Sequence, residues 1–219
     1  LTDAFSIDAA LALPGPDWLR AARASSARSL SGATLPTADE ELWRYSRIGD
    51  LDLARFRPLT GAGHDVGDHP DTALSDLLSG LGERAALVLT WNGRVVRSEI
   101  DDRFAAKGLR VSGSDGWPQD ARIGDVCQEP DVFGRLNAAF GLDPVVVDVP
   151  AGVVVDAPIV VLHWVSASGA AVFPRTVVRA GEGSESTVCE HYASSDVELL
   201  AAPVTELDLA PAANLRYVA

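Results

Sequence analysis

Chemistry in this chain is concentrated in a few short stretches, and Cys189-Glu190-His191 is the most suggestive of them. On a β-strand, residues 189 and 191 point to one face and 190 to the other. A thiolate and an imidazole on one face suit a soft metal ion or an iron–sulfur intermediate. Two ligands do not make a site, so at least one more must come from a neighbouring strand. His163 stands 28 positions before His191 and is the nearest histidine for that purpose. The plainer reading makes Cys189 a small core residue and His191 a surface or stacking residue, because free cysteine is among the most buried side chains.

A second candidate is the polar, glycine-rich run TGAGHDVGDH at 60–69, with His64, Asp65, Asp68 and His69. Their spacing brings four ligands together only if the loop folds tightly. A solvated acidic loop is the commoner use of such a run. Asp143, Asp148 and Asp156 fall near chain corners. Paired in a groove they resemble the carboxylates of polysaccharide-cleaving enzymes, and singly they are ordinary turn formers. Gly181-x-Gly183 lacks the third glycine, the lysine and the helix that phosphate binding requires. No G-x-S-x-G elbow is present, and nothing marks Ser184 as an activated nucleophile. No catalytic residue is expected, and Cys189 and His191 are the only metal-ligand candidates retained.

The elements that must position these residues begin with the stretch 145–192. It is a series of short valine-rich runs at 145–149, 153–155, 159–162, 176–179 and 186–191, broken by Pro, Gly and Asp. The run VVVDVPAG at 145–152 is echoed by TVVRAGEG at 176–183 and by TELDLAPA at 205–212, offsets of 31 and 29 residues. A period of about 30 suggests one solenoid coil per repeat. The fold expected is therefore mainly β: an N-terminal helical and α+β domain over 1–141, then the first coils of a right-handed parallel β-helix over 142–219. A β-sandwich with irregular loops is the alternative. The chain stops inside a strand-like run, LRYVA, so the stack is expected to continue in a longer protein or to be covered by another chain.

Before that stretch the periodicity predicts helices over 3–13, 18–30, 70–80 and 131–140. Arg20, Arg23 and Arg28 are assigned to the water-facing side of the second helix. Pro36 and the capping-box pair Thr37 and Glu40 predict a helix start in PTADEELWRYSRI. Trp43 and Tyr45 do not share a helix face, so one packs inward and the other is free for a partner. Asn92-Gly93 predicts a hairpin between strands at 85–91 and 94–100.

Composition narrows the function. The net charge over 219 residues is −13, which argues against nucleic-acid binding because phosphate neutralisation needs clustered cations. No apolar run reaches the ~18 residues of a membrane span. Two cysteines cannot make a disulfide framework and suit a reducing, cytoplasmic setting.

Several segments, in order along nearly the whole chain, resemble the SufB/SufD family of iron–sulfur assembly scaffolds, and SufD in particular. They are PTADEELWRYSRI at 36–48, VLTWNGRVV at 88–96, VFGRLNAAFGLDPVVVDVPAGVVVDAPIVV at 132–161 and FPRTVVRAGEGSESTVCEHYAS at 173–194. The resemblance implies a non-enzymatic scaffold of the SUF complex, built as an N-terminal helical domain and a parallel β-helix. It implies a SufB-like paralogue and a SufC-like ATPase as partners, through regions beyond residue 219. It implies no stably bound cofactor, with iron or a cluster held transiently in the complex. The alternatives from other classes are a carbohydrate-active β-helix enzyme and a generic solenoid binding module.

Overall fold

The computed structural model describes residues 2–60, 72–117, 123–127 and 131–219. His64, Asp65, Asp68 and His69 lie outside the described residues.

The chain opens with a single 3-10 turn, Asp3–Phe5, then the short helix α1 (Ile7–Leu11) and the longer α2 (Asp17–Ser29). Ser6 caps α1, its hydroxyl accepting from the Ala9 amide at 3.2 Å. Two further 3-10 turns lead to β1 (Arg57–Pro58). Then come α3 (Thr72–Gly80), the hairpin β2 (Ala86–Trp91) and β3 (Arg94–Ile100), α4 (Asp102–Ala105), β4 (Arg110–Ser112) and α5 (Val132–Phe140). The remainder is strands: β5 (Val145–Val149), β6 (Ile159–Val165), β7 (Ala170–Val172), β8 (Arg175–Ala180), β9 (Glu185–Ser194), β10 (Leu199–Ala201), β11 (Val204–Leu209) and β12 (Asn214–Val218).

The mainly β architecture expected, with the opening coils of a right-handed parallel β-helix, is corrected by this structure. The protein is mixed α/β, with 26% of the described residues in helices and 32% in strands. Its strands form three sheets, one wholly parallel (β1-β7-β10) and two of mixed direction (β11-β8-β5-β4 and β12-β9-β6-β2-β3). Short valine runs show that strands exist, but not how much helix accompanies them. Here the helices form a layer with its own core, in which Phe5, Leu13, Ala27, Leu30, Leu136 and Phe140 pack against Val172 and Phe173. Strands from before residue 141 enter all three sheets.

The sequence echoes are strand registers. Val145 pairs with Thr176 and Thr176 with Thr205, all in parallel. Successive strands alternate between sheets, so β5, β8 and β11 stack in one and β6, β9 and β12 in another. Between the sheets lies a second core of Val88, Val145, Val147, Ile159, Val161, Val178 and Val188. Every second residue of these strands faces this core, as the two-residue period of a strand requires, and most of the intervening positions of β2, β5, β6 and β8 are buried too. On the outer face, Arg110, Asp148, Arg179 and Asp208 form one row of alternating charge across four strands. Trp117 lies against the guanidinium groups of Arg110 and Arg179, at 4.2 and 5.6 Å.

The Asn92-Gly93 hairpin forms as expected, with φ of 51° and 82° at its two turn residues, the left-handed conformation a two-residue hairpin demands. The segment after Pro36 makes no α-helix. It descends in single turns through Glu40, Trp43 and Ser46. The capping bond is still made, from the Thr37 amide to Glu40 Oε1 at 2.9 Å. Trp43 packs on Phe133 at 5.4 Å, whereas Leu42 and Tyr45 are 92% and 91% exposed. Helical segments this short depend on burying one face, and this one has little to bury. Among the described residues no helix is long and apolar enough to cross a membrane.

Candidate functional site

Strand β9 alternates as its sequence predicts. Ser186, Val188 and Glu190 are buried, while Cys189 and His191 look outward. Cys189 and His191 line one wall of a groove of about 500 Å³, closed on the other side by Asp76, Leu77, Leu81 and Glu83 at the end of α3. His163 is not with them. Strand pairing matches His191 to Leu162 and His163 to Tyr192. The register between β6 and β9 is thus 29 residues, one more than the spacing that suggested a pair of histidines. One residue of slip turns a side chain to the other face of a strand, so His163 faces inward. Among the described residues no three His, Cys, Asp or Glu side chains gather as a metal ion would need.

The densest chemistry instead lies inside, around Glu190, which is 3% exposed. Its carboxylate accepts from His163 Nε2 at 3.0 Å, Thr176 Oγ1 at 2.6 Å, Thr205 Oγ1 at 2.8 Å and the Tyr217 hydroxyl. A carboxylate can only accept, so Nε2 of His163 carries a proton. The other ring nitrogen, Nδ1, lies 2.8 Å from the Thr90 hydroxyl. The Tyr192 ring stacks on His163 at 5.0 Å and 17°. Burial pushes the Glu190 carboxyl up, but the bonds from His163, Thr176 and Tyr217 outweigh it and hold it at about 2. Tyr217 is pushed up to about 12, by burial first and by its bond to Glu190 second. Tyr192 is also raised, by burial and by the Glu190 charge.

A second buried cluster centres on Glu206, which has no exposed surface. It receives Nε and Nη2 of Arg175, both at 2.8 Å. It also accepts the backbone amides of Gly124 at 2.8 Å, Val126 at 3.2 Å and Cys127 at 3.3 Å. Arg175 Nη1 reaches Asn137 Oδ1 at 3.2 Å, and the Asn137 amide group donates to the carbonyls of Pro174 and Ala202, each at 2.8 Å. The free thiol of Cys127 is therefore carried on a segment tied to β11 by a carboxylate.

Arg23 is the third such residue, and it departs most from its expected place. Assigned to the water-facing side of α2, it is 1% exposed. It donates to the carbonyls of Gly141 at 2.9 Å, Pro14 at 2.8 Å and Leu142. Burial lowers its guanidinium to about 10, with nearby Asp143 acting in the opposite sense. A signal was available: residue 23 lies on the stripe of Leu19, Ala27 and Leu30, which are all buried. The inward places of His163 and Glu190 had no comparable signal, because they depend on register.

The remaining candidates are spent on structure. Asp143 accepts from the amides of Val95 at 3.0 Å and Ser114 at 2.7 Å, and Asp148 sits between Arg110 and Arg179 in its row. Asp156 is exposed at a corner. The Ser184 hydroxyl is buried with no hydrogen-bond partner among the described residues. Neither a protein-family model nor a curated protein matches this chain.

Proposed function

We propose that this protein is a non-enzymatic scaffold subunit of a SUF-type iron–sulfur cluster assembly complex, working in the cytoplasm. One observation carries the reading. The buried charged and amide side chains of the segments that resemble the SufB/SufD family are committed to internal bonds that tie strands and helices together. Asn137 accepts from Arg175, which in turn holds Glu206; Glu190 binds four neighbouring strands, and Tyr192 stacks on His163. Such residues define a shape, and the two reactive side chains that do face a groove, Cys189 and His191, gather no third metal-ligating side chain among the described residues. The order of the resembling segments along the chain supports the same reading. Of the three carboxylates that a sugar-cleaving enzyme would draw on, Asp143 and Asp148 are bound up in turn and sheet, which leaves Asp156 exposed at its corner without either of them beside it as a free partner.

The partners are a SufB-like paralogue and a SufC-like ATPase, the latter supplying the energy of assembly. Iron or a cluster is cargo of the complex and is held transiently. The test is affinity purification of the native gene product from its own cell. Recovery of both partners in fixed ratio is the result expected. A clean monomer without either one would sink the assignment.

A further inference from the structure

Strand β3 closes the five-stranded sheet at the side away from β12, and among the described residues β2 is its only neighbour in that sheet. Strands are stacked onto this sheet in the order β6, β9, β12, away from β3. The Asp101 amide donates to the Ala85 carbonyl at 2.9 Å. Alternation along an antiparallel pair then makes Leu87 with Glu99, and Leu89 with Arg97, the bonded pairs of the ladder. The N–H and C=O of Ser98 and Ile100 are thereby turned to the outer edge. Ser98 is exposed, while its hydroxyl is taken by the Val111 carbonyl at 2.7 Å. Farther along, the Val95 amide is taken by Asp143 at 3.0 Å, so the free edge runs over residues 96–100. Arg97 and Glu99 lie side by side on the face away from the core, bonded at 2.7 and 3.0 Å. Their side chains are still 42% and 49% exposed, which leaves both open to a second contact.

We propose that the outer edge of β3 pairs with β3 of a second copy of this chain, antiparallel about a two-fold axis at Ser98, so that Arg97 of each copy stands opposite Glu99 of the other. Charge selects both the occupant and the register. A two-fold axis normal to the sheet sets residues of one face against residues of the same face. With Arg97 on the axis two guanidinium groups meet, and with Glu99 on it two carboxylates meet. Like charges directly opposite are unfavourable. Ser98 lies between the two, and an axis there puts unlike charges opposite on both sides. Arg97 and Glu99 then fall at non-hydrogen-bonded positions, where cross-strand side chains are closest, and the two copies close a ring of four alternating charges. Ser98 exchanges backbone bonds with its own counterpart. Val96, 41% exposed, comes opposite the half-buried Ile100 of the other copy. Charges on an edge strand normally deter pairing; here they deter the two adjacent registers and admit this one. A single short strand pair is small beside the interface of a permanent dimer, so the association is reversible.

The experiment is sedimentation velocity on the full 219-residue chain, over a concentration series reaching ~100 µM. The parent is expected to pass from monomer to dimer along the series. Arg97→Glu and Glu99→Arg each set like charges opposite and should weaken the dimer at least ~10-fold. The double variant exchanges both charges, rebuilds the ring and should return to within ~3-fold of the parent. Both side chains are exposed, so the fold is expected to survive, checked by an unchanged circular dichroism spectrum. Ser98→Pro removes an edge amide that β2 does not use and should abolish the dimer, a second reading independent of charge. A parent that stays monomeric throughout overturns the proposal. So does a dimer indifferent to either single exchange or to Ser98→Pro, which places the contact on another surface, and so does a double variant no tighter than the singles.

Discussion

Arg23 shows how one buried cation can organise a junction. Its guanidinium collects the carbonyls where α5 ends and where α1 gives way to α2, groups that otherwise lack partners at these helix ends. Burying the charge is unfavourable, and the lowered guanidinium value registers that cost. Arg23→Ala leaves several buried carbonyls unpaired. A loss of about 3 kcal/mol is expected, read as a fall in the urea midpoint at constant slope. Glu190 has the opposite electrostatic sign. Its folded value of about 2 lies below its ordinary 4.5, so its contribution is fully present above about 4.5 and is lost as the pH falls towards 2. That shift corresponds to ~3 kcal/mol. Stability measured from pH 7 to pH 2.5 should therefore fall less steeply in Glu190→Gln than in the parent, from a lower starting point. The Glu206 and Arg175 pair is buried on both sides. Removing one partner costs about 3–5 kcal/mol, so Arg175→Met alone should unfold at much lower denaturant, and adding Glu206→Leu should recover part of the loss.

At the level of elements, close approach at the corners matters as much as strand propensity. A Cβ on Gly181 would lie 2.5 Å from the Ala151 amide nitrogen, within the corner that stacks one repeat on the next. Backbone cannot yield as a flexible side chain does, so Gly181→Ala should cost about 1–3 kcal/mol, seen as a lower melting temperature. Gly183, two residues on, has open space around it but a φ of 64°, so its requirement is conformational. The segment from Thr37 to Ser46 illustrates the converse. Its capping bond formed but its helix did not, because Leu42 and Tyr45 found nothing to pack against. Local capping chemistry was legible there; the missing tertiary partner was not. In α5 both were present. Asp131 caps α5 through the Gly134 amide at 2.8 Å, and the buried stripe of Val132, Leu136, Ala139 and Phe140 follows.

At the scale of the molecule, the groove beside α3 is where the proposed iron cargo can be tested. Cys189 and His191 share that groove without a third ligand among the described residues. Anaerobic incubation with iron and sulfide should therefore load Cys189→Ala and the parent chain equally, measured as iron per chain. A clear deficit in the variant would make the groove an iron site.

What the amino-acid sequence settled alone was local and periodic. The Asn92-Gly93 turn, the helices over α2, α3 and α5, and the pairing offsets of 31 and 29 residues were all readable, because each rests on neighbours in the chain or on spacing along it. Only the tertiary structure decided that the whole is mixed α/β, that Arg23 turns inward, and that His163 joins Glu190 rather than His191. These outcomes depend on which strand edges meet and on a register good to one residue. A one-residue shift exchanges the inside of a sheet for the outside, and no local pattern carries that information.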